Sequence, residues 1–280
     1  MKIVLWILGL GAALYVAVCM LLYFQQERLL FFPTKLAPDY RFRFAQRFEE
    51  RWLPTADGTR LHGLLFPADS VRSKGLVFYL HGNGGALDSW GEVATTYTRL
   101  GYSVFLLDYR GYGKSEGHIS SQAQLLADVD TAYQQLTAEF PESRTVLLGY
   151  SLGTGAAAWL AARHHPRLLV LQAPYASMRA TARQHYPWVP GFVVRYPLAT
   201  NEVLPRVSAL IVIFYGDQDE IISPESTKQL KTLLKPGDEF IALPGAGHNG
   251  MTDNPDYQRA IRRILGAPQA AAGSDSNLSR

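Results

Sequence analysis

The strongest constraint on the fold is a series of short, nearly continuous apolar runs that alternate with longer helix-like stretches. Such runs are typical of strands buried on both faces of a parallel sheet. Their alternation with helices predicts a doubly wound or related open α/β sheet. The predicted strands are Leu76–Leu80, Ser103–Leu107, Thr145–Leu148, Leu168–Leu171, Leu210–Phe214 and Phe240–Leu243, and the predicted helices cover 86–100, 121–139, 152–163, 224–234 and 255–265.

Two segments depart from this alternation. Arg47–Leu53 and Leu61–Phe66 are strand-like and are separated by the turn signal Asp57-Gly58, which predicts an antiparallel hairpin at one edge of the sheet. Residues 174–205 are rich in proline and aromatic residues and break the pattern. They are either an irregular connector or a cap over an active-site cleft. We interpret them as a cap, because long loops in compact domains are often functional.

The N-terminus predicts a membrane anchor. No charged residue lies between Ile3 and Phe24, and a helix of roughly 20 apolar residues crosses a hydrocarbon core of about 30 Å. A cleaved signal peptide has a shorter apolar region, of about 7–15 residues, and a small-residue cleavage site, which is not evident here. Basic residues flank the run on both sides, so the side of the membrane on which the domain lies stays open.

Composition narrows the remaining possibilities. The net charge of +3 is too small and too scattered to predict a nucleic-acid partner. Cys19 is the only cysteine, so no intrachain disulfide is possible, and no Cys/His pairing suggests a metal site. The predicted organisation is an anchor at 1–25, a connector at 26–46, an α/β domain at 47–266 that contains the cap, and a disordered tail at 267–280.

The pentapeptide Gly149-Tyr150-Ser151-Leu152-Gly153 matches the pattern G-x-S-x-G. It joins the predicted strand Thr145–Leu148 to an alanine-rich helix-like stretch. A serine at such a junction lies on a sharp turn that needs small neighbours, and the flanking glycines meet that need. The start of a helix rich in small residues would look similar in isolation. We interpret Ser151 as a nucleophile.

A second motif, His81-Gly82-Asn83-Gly84-Gly85, directly follows the predicted strand Leu76–Leu80. Backbone N–H groups of a glycine-rich turn can stabilise an oxyanion together with the amide that follows a nucleophile. We therefore expect donors at Asn83 and Leu152. Phosphate binding is the rival use of such a loop, but neither a Walker lysine pattern nor G-x-G-x-x-G is present. His81 is expected to be structural.

Candidate acid and base residues follow two later strands. Gly216-Asp217-Gln218-Asp219-Glu220 comes after Leu210–Phe214, so a carboxylate there would lie at the carboxyl end of a strand, where open α/β sheets build their sites. His248 lies between glycines after Phe240–Leu243, which makes it a poor core residue. A serine, then an acid, then a histidine is the chain order expected of a catalytic triad on such a sheet.

Together these motifs resemble the α/β-hydrolase superfamily over residues 47–265. The stretch Asp108–Gly117 looks like the loop after the fourth strand in many members. The resemblance implies an α/β-hydrolase fold, with a mostly parallel central sheet, helices on both faces and a short cap insertion. It also implies Ser151 as nucleophile, His248 as base and Asp219 as the orienting acid, with Asp217 as the other candidate.

The apolar N-terminus, the HGNGG loop and the GYSLG motif look most like one subgroup, the membrane-anchored serine hydrolases that include protein depalmitoylases and lysophospholipid lipases. This implies cleavage of an ester or thioester of a lipid or an acylated protein, with no metal or organic cofactor. A serine peptidase of the same fold is one alternative. A catalytically inactive α/β-hydrolase that acts as a scaffold is another, because fold alone does not fix function.

Overall fold

The computed structural model describes residues 1–70 and 73–266. The predicted tail at 267–280 lies outside these residues. The strands are β1 (Phe32–Pro33), β2 (Glu49–Pro54), β3 (Arg60–Phe66), β4 (Leu76–Leu80), β5 (Gly84–Gly85), β6 (Ser103–Asp108), β7 (Thr145–Tyr150), β8 (Leu168–Gln172), β9 (Leu210–Gly216) and β10 (Glu239–Leu243). The helices are α1 (Lys2–Phe24), α2 (Gln26–Leu30), α3 (Leu87–Trp90), α4 (Ala94–Thr98), α5 (Gln122–Thr137), α6 (Leu152–Ala161), α7 (Met178–His185), α8 (Thr200–Val203), α9 (Pro224–Lys231) and α10 (Pro255–Gly266).

The central sheet has the strand order β10-β9-β8-β7-β4-β6-β3-β2. Strands β4 and β6–β10 are parallel, whereas β3 pairs antiparallel with both β6 and β2. The predicted α/β-hydrolase fold class is therefore confirmed, and the expected hairpin forms the edge of the sheet. Because the parallel strands end at the same edge, the loops after β4, β7, β9 and β10 converge there.

Helices cover both faces of this sheet. Buried residues of α5, α6 and α9 belong to one apolar cluster, which includes Leu126, Leu160 and Leu230. Buried residues of α4 and α10 belong to the other, which includes Tyr97 and Ile261. The strands between the two clusters are apolar on both faces, which explains why their sequences read as continuous apolar runs.

The single helix-like stretch expected at 86–100 is divided in the structure. It forms α3, a 3₁₀ turn at Gly91–Val93 and α4. Glycine and β-branched residues in this stretch favour the helix only weakly, so packing against the sheet decides its shape.

The segment that we predicted as a connector, residues 26–46, is ordered and hydrogen-bonded to two loops of the α/β domain. β1 pairs in parallel with β5, which lies within the glycine-rich loop. The Leu36 N–H donates to the Gly113 carbonyl at 2.9 Å, and the Gly113 N–H donates to the Thr34 carbonyl at 2.8 Å. The segment after α1 therefore holds both the glycine-rich loop and the loop after β6.

Helix α1 contains 23 residues, and none of them is buried. It is long enough and apolar enough to cross a membrane, by length and composition. A short break at Gln25 separates it from α2. Phe31, which follows α2, is buried in the core and fixes this end of the segment to the α/β domain.

The predicted cap at 174–205 contains α7, a 3₁₀ turn at Gly191–Val193 and α8. Its beginning is anchored in the core, where the buried Tyr175 donates a hydrogen bond to the Leu152 carbonyl at 3.0 Å. Its middle lies outside the core, since α7 has no buried residue. We refer to residues 174–205 as the cap segment.

Candidate active site

Ser151 lies on the sharp turn between β7 and α6. Its backbone has φ 48° and ψ −114°, a left-handed conformation that L-residues rarely adopt. A Cβ on Gly149 would lie 2.6 Å from the Gly153 carbonyl oxygen, and a Cβ on Gly153 would lie 2.1 Å from the Leu80 carbonyl oxygen. The two glycines are therefore required by close backbone contacts. This backbone strain, of order 1–3 kcal/mol, is typical of functional sites.

A continuous chain of hydrogen bonds connects Ser151, His248 and Asp219. The Ser151 Oγ is 2.9 Å from the His248 Nε2, and the His248 Nδ1 is 2.8 Å from the Asp219 Oδ2. The acceptor-only carboxylate assigns the proton to Nδ1, so Nε2 accepts the hydrogen bond from the serine hydroxyl. The structure thus brings together three residues that are up to 97 positions apart in the sequence.

The carboxylate of this chain is held from behind. The Asp219 Oδ1 accepts backbone N–H groups from Ile221 at 2.9 Å and from Ile222 at 2.8 Å. Oδ2 is left to face the histidine. The Asp219 side chain is only 2% exposed, so its hydrogen bond to His248 is shielded from water.

Asp217, the other candidate acid, has a different partner. Its Oδ1 accepts the Gly245 N–H at 2.7 Å, and the side chain is exposed. This hydrogen bond closes the loop that carries His248. Of the two aspartates, it is Asp219 whose carboxylate contacts the histidine.

Tyr150 supports the histidine from the strand that precedes the serine. Its hydroxyl donates a hydrogen bond to the main-chain carbonyl of His248. Burial raises the pKa of Tyr150 to about 12, so the hydroxyl stays protonated and remains a donor at neutral pH. No pattern in the sequence predicts this role for Tyr150. Only its place in the motif, next to Ser151, could have indicated a role.

The glycine-rich loop after β4 is held from several directions. The Tyr112 hydroxyl donates to the Asn83 carbonyl at 2.7 Å, and the Trp90 Nε1 donates to the Gly84 carbonyl at 2.8 Å. Within the described residues, the Asn83 N–H has no acceptor. Leu152 lies in the first turn of α6, where backbone N–H groups have no partner inside the helix. Both amides can therefore donate to a bound group.

His81 is buried beneath this loop. Its Nδ1 lies 2.7 Å from the Gly82 carbonyl, and its ring packs against Trp90 and Tyr109. Asp108 lies 3.6 Å from its Nε2, and burial raises the pKa of that carboxyl despite the opposing effect of His81. His81 is surrounded by the core.

Over residues 1–70 and 73–266, no group of three or more His, Cys, Asp or Glu side chains could hold a metal ion. The chemistry that this arrangement offers is that of an activated hydroxyl. A serine polarised by a buried histidine–carboxylate pair, next to free backbone donors, can attack a carbonyl and stabilise the resulting oxyanion.

Comparisons with known proteins agree with this fold. The family described as "Serine aminopeptidase, S33" (Hydrolase_4) matches residues 71–197. The Pyrococcus furiosus esterase Pf2001 superposes with a TM-score of 0.69 at 16% identity, over 85% of this chain and 97% of the esterase. At that identity the likeness concerns the fold alone. The fold and the family match define the class of protein as a hydrolase.

Relatives in sequence narrow the class to a family. Protein Rv2307c of Mycobacterium tuberculosis is 32% identical over 255 residues, which cover 89% of this chain and 90% of that protein. The lysophosphatidylserine lipase ABHD12 of Gallus gallus is 26% identical over 225 residues, which cover 69% of this chain and 59% of the lipase. The chain belongs to the α/β-hydrolase superfamily, in the subgroup that contains ABHD12, and the predicted resemblance is confirmed.

Proposed function

We propose that the protein is a membrane-anchored serine hydrolase that cleaves carboxylic ester or thioester bonds through an acyl-enzyme on Ser151. The observation that carries the proposal is the hydrogen-bonded chain from the Ser151 hydroxyl through His248 to Asp219. It matches the arrangement in which a histidine activates a serine and a buried carboxylate fixes the histidine tautomer.

The proposed reaction has two halves. His248 Nε2 takes the proton of the Ser151 hydroxyl as Oγ attacks the carbonyl carbon, and Asp219 stabilises the imidazolium that forms. The tetrahedral intermediate collapses, His248 gives the proton to the departing alcohol or thiol, and the acyl group stays on Oγ. Water then attacks the acyl-enzyme with His248 as base, which releases the carboxylic acid and restores the serine.

The backbone N–H groups of Asn83 and Leu152 are the proposed donors to the oxyanion. Loss of one such donor typically lowers turnover by about 10²–10³. Because the proposed donor at Asn83 is the backbone and not the side chain, Asn83→Ala is expected to keep most of the activity. A loss of turnover of about 10²–10³ in Asn83→Ala would indicate that the side-chain amide of Asn83, and not its backbone N–H, donates to the oxyanion.

The proposed substrates are acyl lipids or acylated proteins at a membrane. Helix α1 supports this, because a 23-residue apolar helix without buried residues is long enough to span a bilayer of about 30 Å. The name of the relative ABHD12, a lysophosphatidylserine lipase, also favours a lipid ester.

Two alternatives remain distinct from this proposal. The family description "Serine aminopeptidase" favours a peptidase, although the match ends at residue 197, before Asp219 and His248. An inactive scaffold is the other alternative. It is disfavoured because the serine, the histidine and the carboxylate are all present and in contact.

The test is labelling with a fluorophosphonate probe in membranes that contain the full-length protein. Wild type is expected to be labelled, Ser151→Ala is not, and the exposed-serine control Ser208→Ala is labelled like wild type. Folded wild-type protein that stays unlabelled would favour the scaffold. If wild type is labelled, protein that has not been exposed to the probe is then given p-nitrophenyl esters, acyl thioesters and aminoacyl anilides. Turnover of the anilides alone would favour the peptidase.

A further inference from the structure

The middle of the cap segment contains an uncharged apolar run, Tyr186-Pro187-Trp188-Val189-Pro190-Gly191-Phe192-Val193-Val194, which we call the cap tip. Its three aromatic side chains face outwards, whereas Val193 is buried. Phe192 is 78% exposed, Tyr186 57% and Trp188 50%. Apolar side chains clustered on a surface in this way mark an interaction site.

The cap tip lies beside helix α1. The Tyr15 hydroxyl donates a hydrogen bond to the Trp188 carbonyl at 2.9 Å. The Gln26 side chain donates to the Val193 carbonyl at 3.0 Å and accepts the Arg195 N–H at 2.6 Å. The cap tip is therefore attached both to the middle of α1 and to the start of α2.

These contacts fix the depth of the cap tip relative to α1. Tyr15 precedes the last residue of α1, Phe24, by nine positions. At about 1.5 Å per residue, the contact with Trp188 lies roughly 13 Å along the helix from its end. If α1 spans a hydrocarbon core of about 30 Å, the Tyr15–Trp188 contact lies inside that core.

Part of the backbone of the cap tip is hydrogen-bonded within the protein, whereas the N–H groups of Trp188, Gly191 and Phe192 have no acceptor among the described residues. Buried backbone groups in lipid must have partners within the protein. Pro187 and Pro190 have no N–H group to satisfy. The Val189 and Val193 N–H groups donate to carbonyls within the cap tip, at 2.9 and 3.0 Å, and the Trp188 carbonyl is bonded to Tyr15.

Charges stand at the borders of the run and not within it. Arg179 and Arg183 lie on α7 before the cap tip, and Arg195 follows it, paired with Glu27 at 2.7 Å. Arg179 and Arg183 line one cavity with Tyr15 and Trp188, so in a bilayer their long side chains would extend from beside this contact to the phosphate groups. An apolar cavity of about 400 Å³ lies between the cap tip and the α1–α2 junction, lined in part by Leu22 and Val189.

We propose that the cap tip is embedded in the bilayer next to α1, so that the two form one lipid-facing surface, and that acyl chains of bilayer lipids fill the cavity between them. This rests on the membrane anchoring within the proposed function. Embedding places the cap segment of the α/β domain in contact with lipid. A lipid ester would then approach the domain from within the bilayer.

The experiment uses single-cysteine variants of the full-length chain, made after Cys19→Ser removes the native cysteine. An environment-sensitive fluorophore is attached to Phe192→Cys in the cap tip, to Leu10→Cys in α1, or to Ser208→Cys. Ser208 is exposed and lies just before β9, at the sheet edge opposite the ends of the parallel strands. The proteins are reconstituted in phosphatidylcholine–phosphatidylglycerol vesicles with or without lipids that carry a nitroxide on the upper acyl chain.

The expected result is a blue shift and loss of most fluorescence for the reporters at 192 and 10, and no change at 208. If the reporter at position 192 is not quenched, like the one at position 208, while the reporter at position 10 is quenched, the inference is overturned but the membrane anchor is supported. If the reporter at position 10 is also not quenched, the proposed membrane anchor and the inference both fail. A blue shift at 192 without quenching indicates burial against a second protein copy and also overturns the inference. Tyr186→Cys serves as a second cap-tip reporter, and fluorophosphonate labelling verifies that each variant is folded.

Discussion

The hydroxyl of Tyr150 donates a hydrogen bond to the main-chain carbonyl of His248, 98 positions away in the sequence. The residue next to the serine thus holds the loop that carries the histidine. Because this contact fixes the imidazole with respect to the Ser151 hydroxyl, Tyr150 acts through His248 and is a positioning residue.

Tyr150→Phe is expected to lower kcat with little change in KM. A typical hydrogen bond contributes about 1 kcal/mol, so its loss corresponds to roughly a fivefold decrease if the whole effect falls on the histidine geometry. Steady-state kinetics with a soluble ester measure both constants.

Tyr133→Phe is the matched control for that variant. Tyr133 is also buried, and within the described residues its hydroxyl has no hydrogen-bond partner. This variant is expected to keep wild-type kcat and an equal or higher melting temperature. Equal kcat losses in both variants would mean that tyrosine removal acts through general packing, which would contradict the positioning role.

The positive φ of Ser151 strains the backbone, and substitution by glycine is expected to relieve that strain. Because glycine adopts positive φ freely and alanine does not, Ser151→Gly is expected to be more stable than Ser151→Ala by about 1 kcal/mol, while both variants lose hydrolysis. Denaturant unfolding of the two inactive proteins measures the difference. If Ser151→Ala were the more stable variant, backbone strain at position 151 would not determine their relative stability.

The sheet was largely predictable because its strands are buried on both faces. Leu76–Leu80 agrees with β4 at both ends, and Thr145–Leu148 falls short of β7 by only two residues, Gly149 and Tyr150, which belong to the serine motif. Apolar runs report burial, whereas the ends of strands are set by the polar turns and special residues that follow them. The serine, the histidine and the two candidate aspartates stood out because each follows such a run.

Contacts between loops could not be predicted in this way. The pairing of β1 with β5 joins residues about 50 positions apart and has no periodicity to announce it. The choice between Asp217 and Asp219 likewise depends on which carboxylate faces His248, a matter of loop geometry. The resemblance favoured Asp219, and of the two aspartates it is the one whose carboxylate contacts the histidine.

Arg110 joins three parts of the domain. Its guanidinium donates to Asp128 on α5 at 2.7 Å and to Asp57 in the hairpin turn at 2.8 Å. The side chains of Arg110 and Asp128 are each only 6% exposed. The loop after β6 is therefore held to the hairpin and to α5 by a largely buried ion pair.

Arg110→Met is expected to destabilise the protein by about 3–5 kcal/mol, because it leaves the buried Asp128 carboxylate without its partner. Chemical denaturation measures the loss. Arg60→Met is the control, since Arg60 forms an exposed pair with Glu116, and such pairs contribute about 0–1 kcal/mol. Similar losses of unfolding free energy in the two variants would show that burial does not make the Arg110–Asp128 pair more stabilising than an exposed pair.

The same cluster gives the stability a pH dependence. The guanidinium of Arg110, with Thr55 and Thr59, holds the pKa of Asp57 well below its usual range. A carboxyl whose pKa is lower in the folded state stabilises the fold above its unfolded pKa of about 4, and this contribution is lost as the pH falls through the folded value. The contribution is therefore present at pH 7 and decreases in acid.

Asp57→Asn is expected to be less stable than wild type at pH 7, and the difference should shrink progressively below about pH 4, where Asp57 takes up a proton in the unfolded chain but stays ionised in the folded state. Unfolding by urea at a series of pH values measures it. The Asp57 side chain is 55% exposed, so added salt should reduce the difference at pH 7. Because Arg110 is the largest cause of the low pKa of Asp57, the double variant Arg110→Met with Asp57→Asn should show a smaller pH dependence relative to Arg110→Met alone, with the remainder due to Thr55 and Thr59. A pH dependence that persisted there undiminished would mean that Asp57 acts through its turn and not through Arg110.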